Sequence, residues 1–230
     1  MSKKTSDAIK NINNKEYRDR LDRMTQEMAA GFDFLENFDY DRVVTIYGST
    51  RIKRGSKVYG QAQELGRLLA EHGITVVTGG GPGIMEAANR GAFKAGGRSV
   101  GININLLTQE RTNAYINESI AFNYFFARKL ILAHIAQAYV YFPGGFGTLD
   151  EFFEITTLIS TNKIEEKMPV VLVGKKYWQT LKQWLKATPV NTYDTLTDDK
   201  LKIWTIVDSP KAAFELVKNI PRRVKRSDTV

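Results

Sequence analysis

Apolar residues recur along the chain in two alternating rhythms. Short runs rich in β-branched and aromatic residues at 42–47, 74–78, 99–104, 138–142 and 169–173 read as buried strands. Between and after them lie longer segments with apolar positions three and four apart, predicting helices over 58–72, 82–95, 122–137, from about 146 to 161, and 177–187. The end of the chain adds a weak strand at 201–207 and a helix at 211–218. The polar stretch 105–118 fits neither rhythm, and its length predicts a flap rather than a tight connection. Strands alternating with helices predict an α/β fold, a doubly wound parallel sheet with helices on both faces. One domain over 39–220 accounts for this pattern. It is preceded by an extension (1–38), with a helix expected at 20–35 from the spacing of Leu21, Met24, Met28, Ala29, Phe32 and Leu35, and followed by a basic tail (221–230).

Two strand-to-helix junctions stand out because they are glycine-rich. The first is Thr78-Gly79-Gly80-Gly81-Pro82-Gly83-Ile84-Met85-Glu86, and the second is Phe142-Pro143-Gly144-Gly145-Phe146-Gly147-Thr148-Leu149-Asp150-Glu151. Bare backbone amides at the positive end of a helix form a site for an anion. In a parallel sheet both turns must lie beyond the carboxyl ends of the strands, where such folds bind ligands. Neither turn is a dinucleotide G-x-G-x-x-G or a P-loop: Ile84 stands where a third glycine would be, and no Gly-Lys-Ser/Thr follows.

Composition narrows the chemistry. The chain has 230 residues, no cysteine and two histidines far apart, His72 and His134, so disulfides, thiolate ligands and a histidine-based metal site are not expected. With no long apolar segment and no apolar run behind Met1-Ser2-Lys3-Lys4, neither a membrane span nor a secretory signal is expected, and a cytoplasmic location is. The net charge of +8 is concentrated at the ends: residues 1–21 and 221–230 contribute +3 each and leave +2 for the body. That distribution argues for solvated charge runs and against a nucleic-acid-binding face.

On residue chemistry alone, Gly144, Gly145, Gly147 and Thr148 form a phosphate cradle, with the threonine adding a hydroxyl. Gly79, Gly80, Gly81 and Gly83 offer a second one. Thr148-x-x-Glu151 has the spacing of a capping box, which would make Glu151 structural. Glu86 is either a surface acid favoured by the helix dipole or a ligand for ribose or water. Arg128 and Lys129 sit in an otherwise apolar helix, where a lone cation usually snorkels or pairs. His134 reads as a packing residue. Tyr124, Phe125 and Phe126 read as core, with one of them available to face a base.

Taken together, G-G-G-P-G-I-M-E-A-A-N and P-G-G-F-G-T-L-D-E resemble the LOG family of Rossmann-like nucleoside 5'-monophosphate phosphoribohydrolases, whose plant members activate cytokinins. The P-G-G-x-G-T-x-x-E signature runs from Pro143 to Glu151, the family's Arg-Lys pair is Arg128-Lys129, and the similarity spans about 43–186. The resemblance implies hydrolysis of a purine nucleoside 5'-monophosphate such as AMP to free base and ribose 5-phosphate, without metal or cofactor. It assigns catalysis to Glu151 and Arg128, with Arg128 holding ribose or phosphate and keeping Glu151 ionised. Substrate binding falls to the two glycine turns, Glu86 and Lys129. It further implies a homodimer or larger homo-oligomer with the pocket near an interface, the contact expected around 122–126. Phe125-Phe126-Ala127 replaces the Met-His-Glu that plant members carry, which bears on base preference. The alternative within the same fold is a non-catalytic carrier of a nucleotide or of molybdenum cofactor. The older lysine decarboxylase label has no pyridoxal-binding lysine context to support it.

Overall fold

β-branched and aromatic residues make up most of each central strand, and their side chains alternate between two cores. In the computed structural model, which describes residues 15–38, 41–105, 112–165 and 167–222, the strands are β1 (Val43–Tyr47), β2 (Thr75–Thr78), β3 (Ser99–Ile104), β4 (Glu118–Phe122), β5 (Ala138–Tyr141), β6 (Val170–Val173) and β7 (Trp204–Val207). They form one sheet in the order β4-β3-β2-β1-β5-β6-β7, with every neighbouring pair parallel.

Helices α1 (Lys15–Asn37), α2 (Lys57–Glu71), α3 (Ile84–Lys94), α4 (Phe125–Ile135), α5 (Phe146–Ser160), α6 (Lys175–Leu185) and α7 (Pro210–Val217) cover both faces. Val43 and Tyr47 of β1 join Tyr139, Tyr141 and Leu172 in a core closed by Leu35, Ile131, Phe152 and Trp178 from α1, α4, α5 and α6. Val44 and Ile46 point the other way, to a core closed by Leu65 of α2, Ala88 of α3 and Phe214 of α7. This period-two division is the pleat of a sheet buried on both sides, and it establishes the Rossmann-like α/β architecture expected from the sequence. Among the described residues no helix is long and apolar enough to cross a membrane.

One expectation needs correction. The segment 105–118 does not end in a helix starting at 122, because Glu118–Phe122 forms the edge strand β4 and α4 begins at Phe125. That strand alternates partly buried and exposed positions and ends on buried Phe122, a pattern too short to stand out beside the apolar helix that follows it. Of the expected flap at 105–118, residues 106–111 lie outside the described residues. Its far end is pinned: Asn113 donates its backbone amide to Gly80 O at 2.8 Å, and Asn117 Oδ1 accepts from the Ser99 amide at 2.8 Å.

Candidate active site

Strand numbering runs outward from β1 toward β4 on one side and resumes at β5 on the other, so the sheet changes direction between β1 and β5. The two glycine turns follow β2 and β5 and flank the end of β1. This is the crevice where doubly wound sheets bind ligands. The loop after β1 fastens the turns to each other. Ser49 donates its amide to Pro143 O in the second turn, and its carbonyl accepts from the Ile84 amide that opens α3, both at 3.1 Å.

The first turn is held from beneath by buried polar groups. Thr78 Oγ1 donates to Asn89 Oδ1 at 2.6 Å and accepts from the Gly80 amide at 2.9 Å. Asn113 Nδ2 reaches Asn89 Oδ1 at 2.9 Å and the carbonyls of Gly80 and Gly81 at 3.1 Å. Gly80 and Gly83 both have φ of +72°, and a Cβ on Gly83 would lie 2.3 Å from Ser49 O. Glycine is therefore required there by conformation and by space. Gly81 lies against the end of Met85 instead.

The second turn opens α5. Gly145 is its cap, with extended backbone and no side-chain cap bond. The first helical bond runs from the Leu149 amide to Gly145 O at 3.0 Å, so the amides of Phe146, Gly147 and Thr148 lie ahead of it at the positive end of a four-turn helix. Gly144 is fixed by Tyr177, whose hydroxyl donates to its carbonyl at 2.7 Å. Thr148 is buried over Gly144, where an added Cβ would lie 2.1 Å from Thr148 Oγ1. Gly145 and Gly147 are open, with no atom within 4 Å of a hypothetical Cβ.

This geometry overturns the capping-box reading of Glu151. Thr148 is the third helical residue rather than the cap, which puts Glu151 a full turn too far along α5 to reach back. Its carboxylate instead meets Arg128 from α4, with Nη2 and Oε1 3.3 Å apart and both side chains nearly buried at 14% and 13% exposure. Arg128 lies over the Phe125 ring, and a Cβ on Gly79 would come 3.4 Å from its Nη1, so the guanidinium stands between the first turn and Glu151. Its Nε is buried without a hydrogen-bond partner.

Burial raises the Glu151 carboxyl to about 7, against the lowering effect of Arg128 and with a further push from Asp150. The expectation that Arg128 keeps Glu151 ionised therefore holds only in part, because desolvation wins. Beneath the pair, Tyr47 and Tyr141 stack at 4.8 Å, and the Tyr141 hydroxyl donates to Glu151 O at 3.2 Å. Burial holds both phenols protonated, well above their usual range, and the nearby Glu151 adds to the effect.

The other expected site residues are engaged elsewhere. Glu86 accepts from Arg54 Nε at 2.6 Å and from the Tyr59 hydroxyl at 2.9 Å. Lys129 pairs with Asp150 at 2.9 Å and Glu154 at 3.2 Å on α5. Burial lowers the Lys129 amine, but the bonds to these two carboxylates outweigh it and the net shift is upward. His134 bonds to Leu130 O and is exposed, so it belongs to neither core nor site. Phe122 is buried in β4, while Phe125 and Phe126 at the start of α4 are 55% and 49% exposed and Phe146 at the start of α5 is 93% exposed. Sequence reasoning passed over Ser49, Tyr47 and Tyr141, whose roles depend on strands that are neighbours in space and distant in sequence.

Comparison with known proteins bears on the family and the fold. The profile of a family described as "possible lysine decarboxylase" matches residues 85–217. The cytokinin riboside 5'-monophosphate phosphoribohydrolase of Rhodococcoides fascians is 30% identical over 156 residues, 66% of this chain and 78% of the relative. A protein of the same name from Arabidopsis thaliana is 30% identical over 195 residues, covering 83% and 87%. Among solved structures, the molybdenum cofactor binding protein from Rippkaea orientalis superposes with a TM-score of 0.58 at 21% identity, covering 78% of this chain and 97% of that one. The last match speaks to the fold alone, whereas the profile and the two relatives place the chain in the LOG family.

Proposed function

We propose that the protein hydrolyses the N-glycosidic bond of a nucleoside 5'-monophosphate, with a purine nucleotide such as AMP as substrate and free base and ribose 5-phosphate as products. The observation that carries this reading is the nearly buried Arg128–Glu151 pair standing between two glycine turns at the switch point of the sheet. The 5'-phosphate binds at the amino end of α5, where the Phe146, Gly147 and Thr148 amides and the dipole favour an anion. Water adds to C1', the bond from C1' to the base nitrogen breaks, and the leaving nitrogen takes up a proton. The transition state carries positive charge on the sugar ring, so an ionised Glu151 lowers the barrier by opposing that charge or by taking the proton of the attacking water. A carboxyl titrating at about 7 is matched to proton transfer at neutral pH. Arg128, through Nη1 and the unpartnered Nε, supplies donors for ribose or phosphate oxygens.

The exposed Phe125, Phe126 and Phe146 at the openings of α4 and α5 support a homodimer that buries this edge beside the pocket. A decarboxylase built on Lys129 is disfavoured, since its amine is committed to Asp150 and Glu154 and shifted toward the ammonium form. Incubating the protein with a panel of nucleoside monophosphates and measuring released base tests the proposal and ranks the bases. A carrier would return every nucleotide intact.

A further inference from the structure

The extension ahead of the domain contributes a long helix, and one carboxylate on it sits at the start of the helix that carries Arg128. Helix α1 lies close against α4 and β4 at Gly31, where an added Cβ would come 2.8 Å from Ile131 Cδ1 and 3.2 Å from Phe122 Cε1. One turn earlier on α1, Glu27 is brought over the first residues of α4. The Asn123 amide donates to Glu27 Oε1 at 3.0 Å and to Oε2 at 3.1 Å, the Tyr124 amide donates to Oε2 at 3.1 Å, and Asn123 Nδ2 donates to Oε1. Tyr124 is the cap residue of α4, makes no side-chain cap bond of its own, and no acidic residue lies in the first turn. Glu27 thus supplies from another helix both the acceptor and the negative charge that a helix start favours.

The connection to the site is short. The Tyr124 amide is held by Glu27, and the Tyr124 carbonyl accepts from the Arg128 amide at 3.2 Å. Arg128 then meets Glu151 at 3.3 Å. We propose that Glu27 is a positioning residue that holds the start of α4 and, through it, sets where Arg128 meets Glu151. The inference rests on the proposed roles of Arg128 and Glu151, and it gives the amino-terminal extension a part in the reaction.

The test compares Glu27→Ala and Glu27→Gln in the full chain by two readouts. One is the titration of the Glu151 carboxyl by carbon NMR of labelled glutamate, with its signal identified by its loss in Glu151→Gln. The other is kcat and KM for AMP. The charged and titratable groups facing Glu151 are Arg128 and Lys129 from α4, Asp150 and Glu154 on α5, and Tyr47 and Tyr141 beneath. A displaced Arg128 changes the largest opposing charge, so Glu27→Ala should raise the Glu151 midpoint by about one pH unit and lower kcat about tenfold with a smaller change in KM. Glu27→Gln keeps an acceptor for the Tyr124 amide and should recover most of both. If Glu27→Ala does not fold, Glu27→Gln alone should still raise the midpoint by a smaller amount. A variant that melts earlier but leaves the midpoint and kcat at wild-type values overturns the proposal and reduces Glu27 to a structural cap. If the wild type releases no base from any nucleotide, the proposed activity fails, while the titration still decides what Glu27 does.

Discussion

Glu151 lies 3.3 Å from the guanidinium of Arg128, yet its carboxyl titrates at about 7 rather than in the range expected of a salt-bridged acid. Desolvation of a nearly buried carboxylate outweighs the attraction of this one cation, a balance that recurs where acids serve as catalytic groups.

The rate of base release should therefore follow the ionised form of Glu151. Below about pH 7 it should fall close to tenfold per pH unit, and above it should level off. A pH profile of kcat from pH 5 to 9 measures this. A rate that instead declines through pH 7 as pH rises would mean that the protonated acid is the working form.

The same shift has a signature in stability. The folded carboxyl is raised from 4.5 to about 7, so between those values the folded protein holds a proton that the unfolded chain has released. Stability should then fall as pH rises through this window, by about 1–3 kcal/mol from this group. Denaturant titrations at pH 5 and pH 8 should show the loss in the wild type. Glu151→Gln should remove this contribution, since glutamine does not titrate.

The open and closed glycines of the second turn should behave differently. Gly145 has room for a side chain and an ordinary φ of −100°, so Gly145→Val should fold normally but crowd the amides where phosphate would sit, raising KM for AMP about tenfold or more. Gly144→Ala drives a methyl into Thr148 Oγ1 and should cost about 1–3 kcal/mol of stability. Melting curves and KM values for both variants check the contrast. Normal AMP affinity in Gly145→Val would move the phosphate elsewhere. On the same logic adenosine, which lacks the phosphate, should be a far poorer substrate than AMP.

The exposed aromatics predict assembly. Sedimentation at micromolar concentration should find at least a dimer, and Phe125→Ser with Phe146→Ser should weaken it, because both rings are exposed in the single chain. A wild-type monomer that still hydrolyses AMP would mean that the pocket needs no interface.

Much of this was legible in the chain itself. Buried strands such as 43–47 and 138–141 are short runs of β-branched and aromatic residues, and the glycine turns announce where the sheet opens, so the crevice follows from local pattern alone. Glu151 shows the limit: its spacing from Thr148 matches a capping box, and only the placement of the cap at Gly145 shows that the carboxylate is free to meet Arg128. Edge strand β4 was missed because a five-residue half-exposed strand carries little burial signal. Ser49, Glu27 and the Tyr47–Tyr141 stack escaped because each acts across a long sequence separation, through contacts that no local periodicity encodes.

The proposed reaction stands or falls with Glu151 acting chemically on a bound nucleotide. The most direct measurement incubates wild-type protein and Glu151→Gln with AMP and quantifies adenine and ribose 5-phosphate. Equal amounts of the two products are expected from the wild type, with a kcat about 10² to 10³ lower in the variant, which should still bind AMP. AMP recovered unchanged from the wild type, or released base at an undiminished rate from Glu151→Gln, would contradict it.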